Sequence, residues 1–156
     1  MYKGACGCGQ LTYEMSSDPL FVHCRHCGEC QKQTGSAYVL NAIIETDRVT
    51  FSGRSTVHHL PTPSGKGQNI TRCADCGTAV FSEYLIRLGA LRYVRVGTLD
   101  NPDEFPPDVQ IFTSSKQDWV PLHPDIPQFE ALYKFDDLWP KPSLQRLKAA
   151  LDAVST

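Results

Sequence analysis

The sequence predicts an all-β fold of stacked sheets, and three observations carry that expectation. Short segments of alternating or β-branched residues recur along the chain. Clusters of Gly, Pro, Asn, Asp and Ser separate them at the short intervals typical of β-sheet proteins. The chain has 156 residues, 41% hydrophobic and 21% charged, which suits one globular domain over residues 1–156 with a single core.

Taken in order, Leu11, Tyr13 and Met15 alternate with Thr12, Glu14 and Ser16, the pattern of a half-buried strand. Residues 38–45 (YVLNAIIE) are β-rich and end at Thr46-Asp47, and residues 49–51 stop at Ser52-Gly53. Residues 56–60 (TVHHL) lead into a Pro- and Gly-rich loop. Residues 69–72 and 78–85 flank a Cys-x-x-Cys turn, residues 92–96 alternate again, and residues 109–113 give one more strand. From 101 to 127 proline fixes φ and removes amide donors, so irregular loops are expected around that strand. At the end, Ser143 is placed to cap a short C-terminal helix with Leu144, Leu147, Leu151 and Val154 on one face.

The formal charge of −2, from 15 basic and 17 acidic residues, includes no basic block, so a phosphate-neutralising nucleic-acid surface is not favoured. The first fifteen residues lack a basic region followed by an apolar run, so no signal peptide is expected. No apolar stretch approaches the roughly 20 residues that span a bilayer. A cytoplasmic protein is the expectation. Seven cysteines in a reducing compartment point to metal before disulfides, and the odd number argues the same way.

Cys6-Gly7-Cys8-Gly9 and Cys73-Ala74-Asp75-Cys76-Gly77 each read as half of a metal site. Such turns aim two sulfurs at one ion, and the glycine after the second cysteine frees the backbone to turn. Four thiolates close a tetrahedral zinc site whose formation contributes to folding. Redox Cys-x-x-Cys would sit beside a βαβ pattern, which is absent. The remaining three, Cys24, Cys27 and Cys30, would leave a fourth position on zinc open for water or a soft, thiol-bearing substrate.

These motifs resemble a known family. Gly4-x-Cys6-x-Cys8-Gly9, the cysteine cluster followed by Gln31-Lys32-Gln33-Thr34-Gly35-Ser36-Ala37, Cys73-x-x-Cys76-Gly77-Thr78 and the later Ile111-Phe112-Thr113-Ser114-Ser115-Lys116-x-x-Trp119 occur in the family's order. Together they resemble the glutathione-dependent formaldehyde-activating enzyme family, which also includes centromere protein V. The resemblance implies a β-tent of stacked antiparallel sheets with two zinc ions. Cys6, Cys8, Cys73 and Cys76 would hold a structural zinc, and the 24–30 region a second, catalytic one. There glutathione and formaldehyde would combine into S-hydroxymethylglutathione. The chain departs from the family at one place: the usual cluster is Cys-x-Cys-x-x-Cys, and aligning on Cys27 and Cys30 puts Arg25 where the first ligand belongs.

The functional expectation is a zinc-dependent carbon–sulfur lyase-like enzyme that joins a glutathione-like thiol to a small aldehyde or releases it. Cys24, Cys27 and Cys30 would be ligands, His26 a proton partner or ligand, and Arg25 a carboxylate partner. Gln31, Gly35 and Ser36 would offer donors to substrate, or simply form a turn into the next strand. His23 is a further candidate ligand. His58-His59 and Ser64 to Gln68 read as ordinary strand and hairpin loop, the latter lacking phosphate-loop spacing. The rival expectations are a non-catalytic binding module with both metal sites structural, and a redox thiol switch at the same cluster.

Overall fold

The computed structural model describes all 156 residues and contains two β-sheets. The small sheet has the order β1-β2-β5, with β1 Tyr2–Ala5, β2 Thr12–Met15 and β5 Val49–Ser52. The large one runs β10-β3-β4-β9-β8-β7-β6. Its strands are β3 Phe21–Arg25, β4 Val39–Glu45, β6 Ser55–Leu60, β7 Gln68–Cys73, β8 Ala79–Tyr84, β9 Leu91–Arg95 and β10 Val109–Ile111. Two helices complete the chain, α1 at Gly28–Thr34 and α2 at Lys141–Ser155.

The alternation read from the sequence builds the first core. Leu11, Tyr13 and Met15 turn inward from the small sheet onto Val22, Ala42, Ile44, Phe81 and Val94 of the large one. Burying Leu11 and Met15 completely contributes roughly 1.5–3 kcal/mol each. The segment after β9 approaches the small sheet closely at Gly4, where a Cβ would collide with the Tyr13 ring and lie 2.6 Å from the Thr98 carbonyl oxygen. A second core lies on the opposite face of the large sheet, where Phe21, Ile43, Leu91, Tyr93, Val109 and Ile111 meet Trp139 and Leu147. The molecule is therefore layered as small sheet, large sheet, and a C-terminal cover that includes α2.

The structure is mostly β, as expected, with three corrections. β10 pairs with β3 in parallel, so the large sheet is mixed rather than purely antiparallel. β9 and β10 run in the same direction, and the crossover through residues 96–108 that joins them imposes it. Residues 28–34 form a helix where the sequence suggested only a knuckle and a turn. Finally, α2 begins at Lys141 after Pro140, and Ser143 is a buried residue inside it rather than its cap. Pro142 sits in the first turn, where its missing amide costs nothing. Leu144, Leu147 and Leu151 pack inward as predicted, whereas Val154 is exposed.

A half-buried ion pair clamps α2 to the sheet. Arg146 reaches both oxygens of Glu45 at 2.7 and 2.6 Å, and Arg48 adds a contact at 3.3 Å. Burial raises the Glu45 carboxyl, but the Arg146 hydrogen bonds outweigh it and hold the group below its ordinary value. The stabilisation is therefore complete above the ordinary glutamate range and is lost as pH falls through the depressed folded value. Arg146→Ala should lower unfolding free energy by about 2 kcal/mol at neutral pH in urea titrations. The difference from wild type should shrink as the pH falls below 4; a pH-independent difference would contradict the clamp.

Candidate metal centre and functional site

Cys6 and Cys8 lie in the turn between β1 and β2, and Cys73 and Cys76 at the turn between β7 and β8. Each turn closes on itself: Gly9 N donates to the Cys6 carbonyl at 3.0 Å, and Gly77 N to the Cys73 carbonyl at 3.0 Å. Both glycines have φ near +77°, a conformation other residues resist, which is why each knuckle ends in glycine. The four Sγ atoms all lie within 4.8 Å of one another, with Cys6 to Cys8 at 3.5 Å and Cys8 to Cys73 at 3.7 Å. Zinc–thiolate bonds of about 2.3 Å imply tetrahedral edges of about 3.8 Å, so the donor set fits zinc in both chemistry and spacing.

Neighbouring groups prepare the sulfurs for a cation. The Thr78 hydroxyl lies 3.1 Å from Cys76 Sγ and, with the Thr78 amide, brings that thiol down to about 5. Cys6 Sγ accepts from the Leu11 amide at 3.2 Å, and Cys73 Sγ from Asp75 N at 3.4 Å. At Cys8 the Gln10 amide favours the thiolate, yet the adjoining Cys6, Cys76 and Cys73 sulfurs prevail and push it to about 12. Four clustered sulfurs cannot all carry charge unless a cation sits among them.

A family model described as "GFA: Glutathione-dependent formaldehyde-activating enzyme" matches residues 1–115, which take in both knuckles and the Cys24–Cys30 segment. The chain belongs to the glutathione-dependent formaldehyde-activating enzyme family. No curated protein matches it significantly. Among solved structures it is similar to the crystal structure of a Rhodobacter sphaeroides protein, at 13% identity and a TM-score of 0.50, covering 81% of this chain and 98% of that one. That likeness concerns the fold alone. No helix is long and apolar enough to cross a membrane.

Within this family member the other three cysteines are arranged differently from the quartet. No corresponding group forms around Cys24, Cys27 and Cys30. Cys24 lies on β3, buried, with its Sγ 3.5 Å from His26 Nε2. Burial pushes its thiol up to about 12, so it is protonated at neutral pH. Cys27 caps α1 and Cys30 sits in its first turn, with Cα atoms 5.2 Å apart and their sulfurs adjacent. A helix start places residues i and i+3 on one side, a geometry that serves a disulfide or a shared ion equally well.

Arg25, as a neighbour of Cys24 on a strand, points to the other face of the sheet. Its guanidinium donates to Tyr84 Oη and lies 5.2 Å from the centroids of the Tyr84 and Phe112 rings. His23 shares that face, donating to or accepting from Tyr133 Oη at 2.8 Å, and burial drives its imidazole down to about 3. It is a core residue on the side away from Cys24. His26 is 1% exposed, and burial with the nearby Lys116 charge lowers its pKa. It stays neutral, with Nδ1 buried and unpartnered.

The three residues expected to offer substrate donors have structural partners. Gln31 Nε2 donates to the His26 and Ser115 carbonyls, both at 2.9 Å, and its Oε1 accepts from Gln117 at 3.2 Å. Gly35 ends α1 in the left-handed region, with its amide on the Gln31 carbonyl. Ser36 N donates to Thr34 Oγ1 at 3.3 Å. The loop after β10 thus docks on α1, and Trp119 lies exposed beside Gln117, to which its indole donates at 2.7 Å. Tyr84, Asn41, Ser82 and Arg95 were not singled out in the sequence. The available signal was a polar residue interrupting an apolar strand, as in VLNAIIE and LRYVR.

Purified protein should carry zinc at the quartet. Cys73→Ser should lose one equivalent per chain by elemental analysis, while Cys24→Ser should lose none from this site. Unchanged zinc in Cys73→Ser would remove the quartet as the binding site.

Proposed function

We propose that the protein is a carbon–sulfur lyase-like enzyme acting on a glutathione-like thiol and a small aldehyde such as formaldehyde. The observation that carries this reading is the family match over residues 1–115, which includes all seven cysteines. In the forward direction the thiol sulfur bonds to the aldehyde carbon, and the thiol proton ends on the aldehyde oxygen. The reverse step breaks the same bond. A reducing cytoplasm would keep the cysteines available for it.

The quartet would hold a structural zinc that ties the β1–β2 turn to the β7–β8 turn. It is closed by four protein sulfurs, which leaves no position for substrate. The Cys24–Cys30 segment is the reacting end in this reading. A zinc ion there would supply deprotonation of a coordinated thiol. The residues present fit such an ion incompletely: Cys27 and Cys30 converge, while Cys24 faces His26.

The chain's own contribution is positional. His26 is neutral and buried, with Nδ1 free to accept or return a proton. Ser115 Oγ and Gln31 fix the backbone at His26 through its carbonyl, at 3.0 and 2.9 Å. Tyr38 lies against the imidazole with ring centroids 5.3 Å apart and shields it from water. Holding thiol and aldehyde in one dry site supplies the proximity on which such an addition depends.

A second reading, a zinc-stabilised binding module without catalysis, is favoured by one observation: the grouping of donors close enough to share an ion is the closed quartet. Exchange NMR with ¹³C-formaldehyde and glutathione separates the two readings. The enzyme should speed formation of S-hydroxymethylglutathione at least tenfold over the uncatalysed rate, and Cys30→Ser should abolish the gain while retaining the quartet zinc. No acceleration by folded, reduced, zinc-replete protein leaves the module.

A further inference from the structure

One face of the large sheet holds polar side chains that serve no strand pairing. Asn41 on β4 lies opposite Arg95 on β9, Ser82 on β8 opposite Tyr93, and Gln68 on β7 opposite Tyr84. Cross-strand partners, and residues two apart on a strand, share a face, so Arg25 belongs to the same surface through His23, the partner of Asn41. Asn41 and Ser82 are wholly buried, and Arg95 is 9% exposed.

None of the five ion pairs in the molecule involves Arg25 or Arg95. Arg95 donates through Nη1 to Asn41 Oδ1. Arg25 Nε, Arg95 Nε, Asn41 Nδ2 and Ser82 Oγ remain buried without any partner. Three of these are obligate donors and the fourth is a hydroxyl that can donate. Burial brings Arg95 down to about 10, and the charges of Arg25 and Arg72 push the same way. Guanidinium groups without a counter-ion and free donors on one sheet face are what an oxyanion would satisfy. Arg95, alone of the four, lines a cleft of about 400 Å³ together with Arg72, Gln33, Thr34, Tyr38 and Thr78, so solvent meets the group through Arg95, beside α1.

We propose that Arg25, Asn41, Ser82 and Arg95 form a carboxylate-binding site entered from this cleft. Guanidinium forks match the planar geometry of a carboxylate, and Asn41 and Ser82 complete its remaining acceptor positions. Arg72, half-buried at the mouth, gives the cleft a third positive charge, which suits a ligand with more than one carboxylate. Such a group is carried by the ends of a glutathione-like thiol or by a free small carboxylate. The first source rests on the proposed function; the site itself does not.

The test titrates full-length, zinc-replete protein by calorimetry with S-methylglutathione, whose carboxylates are intact and whose sulfur is capped, with its dimethyl ester, and with acetate. S-methylglutathione should bind saturably, with the ester at least tenfold weaker. Arg25→Gln, at a half-exposed position, and Arg95→Lys should each weaken binding at least tenfold with zinc content and circular dichroism preserved. Saturable binding of acetate but not of S-methylglutathione, lost in Arg25→Gln, supports the site with a free carboxylate as ligand and counts against the glutathione reading. Equal affinity for acid and ester, undiminished binding by folded Arg25→Gln, or no saturable binding of either carboxylate to wild type would overturn the proposal. Enzymatic acceleration that persists alongside any of those results leaves the function standing and removes this inference alone.

Discussion

Four sulfurs drawn from turns 65 residues apart in sequence meet at one point, and much of the architecture follows from that meeting. One pair belongs to the small sheet and the other to the large sheet, so the quartet brings the edge of one layer to the end of the other. The packing agrees with it. Cys6 and Cys73 are themselves members of the core between the sheets, beside Leu11 and Tyr13. A site half built into the apolar core has its ligands held by neighbours that cannot easily shift, and this rigidity favours a closed, tetrahedral donor set.

The same layering separates two chemistries on β3. Its residues alternate between the inter-sheet core and the C-terminal cover, so Val22 and Cys24 look one way and Phe21, His23 and Arg25 the other. On the first side, Cys24 and His26 form a buried, uncharged pair close to α1. On the second, an aromatic group of Tyr133, Phe135 and Trp139 encloses His23. Beyond it the surface becomes cationic and rich in unused donors. The apolar half of this face is covered by α2 and the segment before it, while the polar half opens beside α1.

The loop following β10 joins these regions. Phe112 adopts φ 55°, a left-handed conformation that costs a non-glycine residue about 1 kcal/mol. That turn sends Ser115 back to the His26 carbonyl and sets the Phe112 ring beneath Arg25. Strain of this kind persists where surrounding contacts over-determine it, and here they include hydrogen bonds from Thr113 and Ser114 to the segment around Phe129. The two faces of β3 are therefore held in register by a single short loop.

Much of this was legible along the chain. Alternation at Leu11, Tyr13 and Met15 and the paired cysteine knuckles with trailing glycines required no tertiary information, because both depend on spacing within a few residues. The family resemblance over the same motifs was legible for the same reason. What the sequence could not decide was direction. Cys24, Cys27 and Cys30 are evenly spaced, yet a strand ends at Arg25 and a helix begins at Gly28, so equal spacing does not bring equal orientation. The polar face was hidden because Arg25, Asn41, Ser82 and Arg95 become neighbours only through the pairing of four strands. A residue's partners across a sheet are set by register between distant segments, and only the folded chain supplies that register.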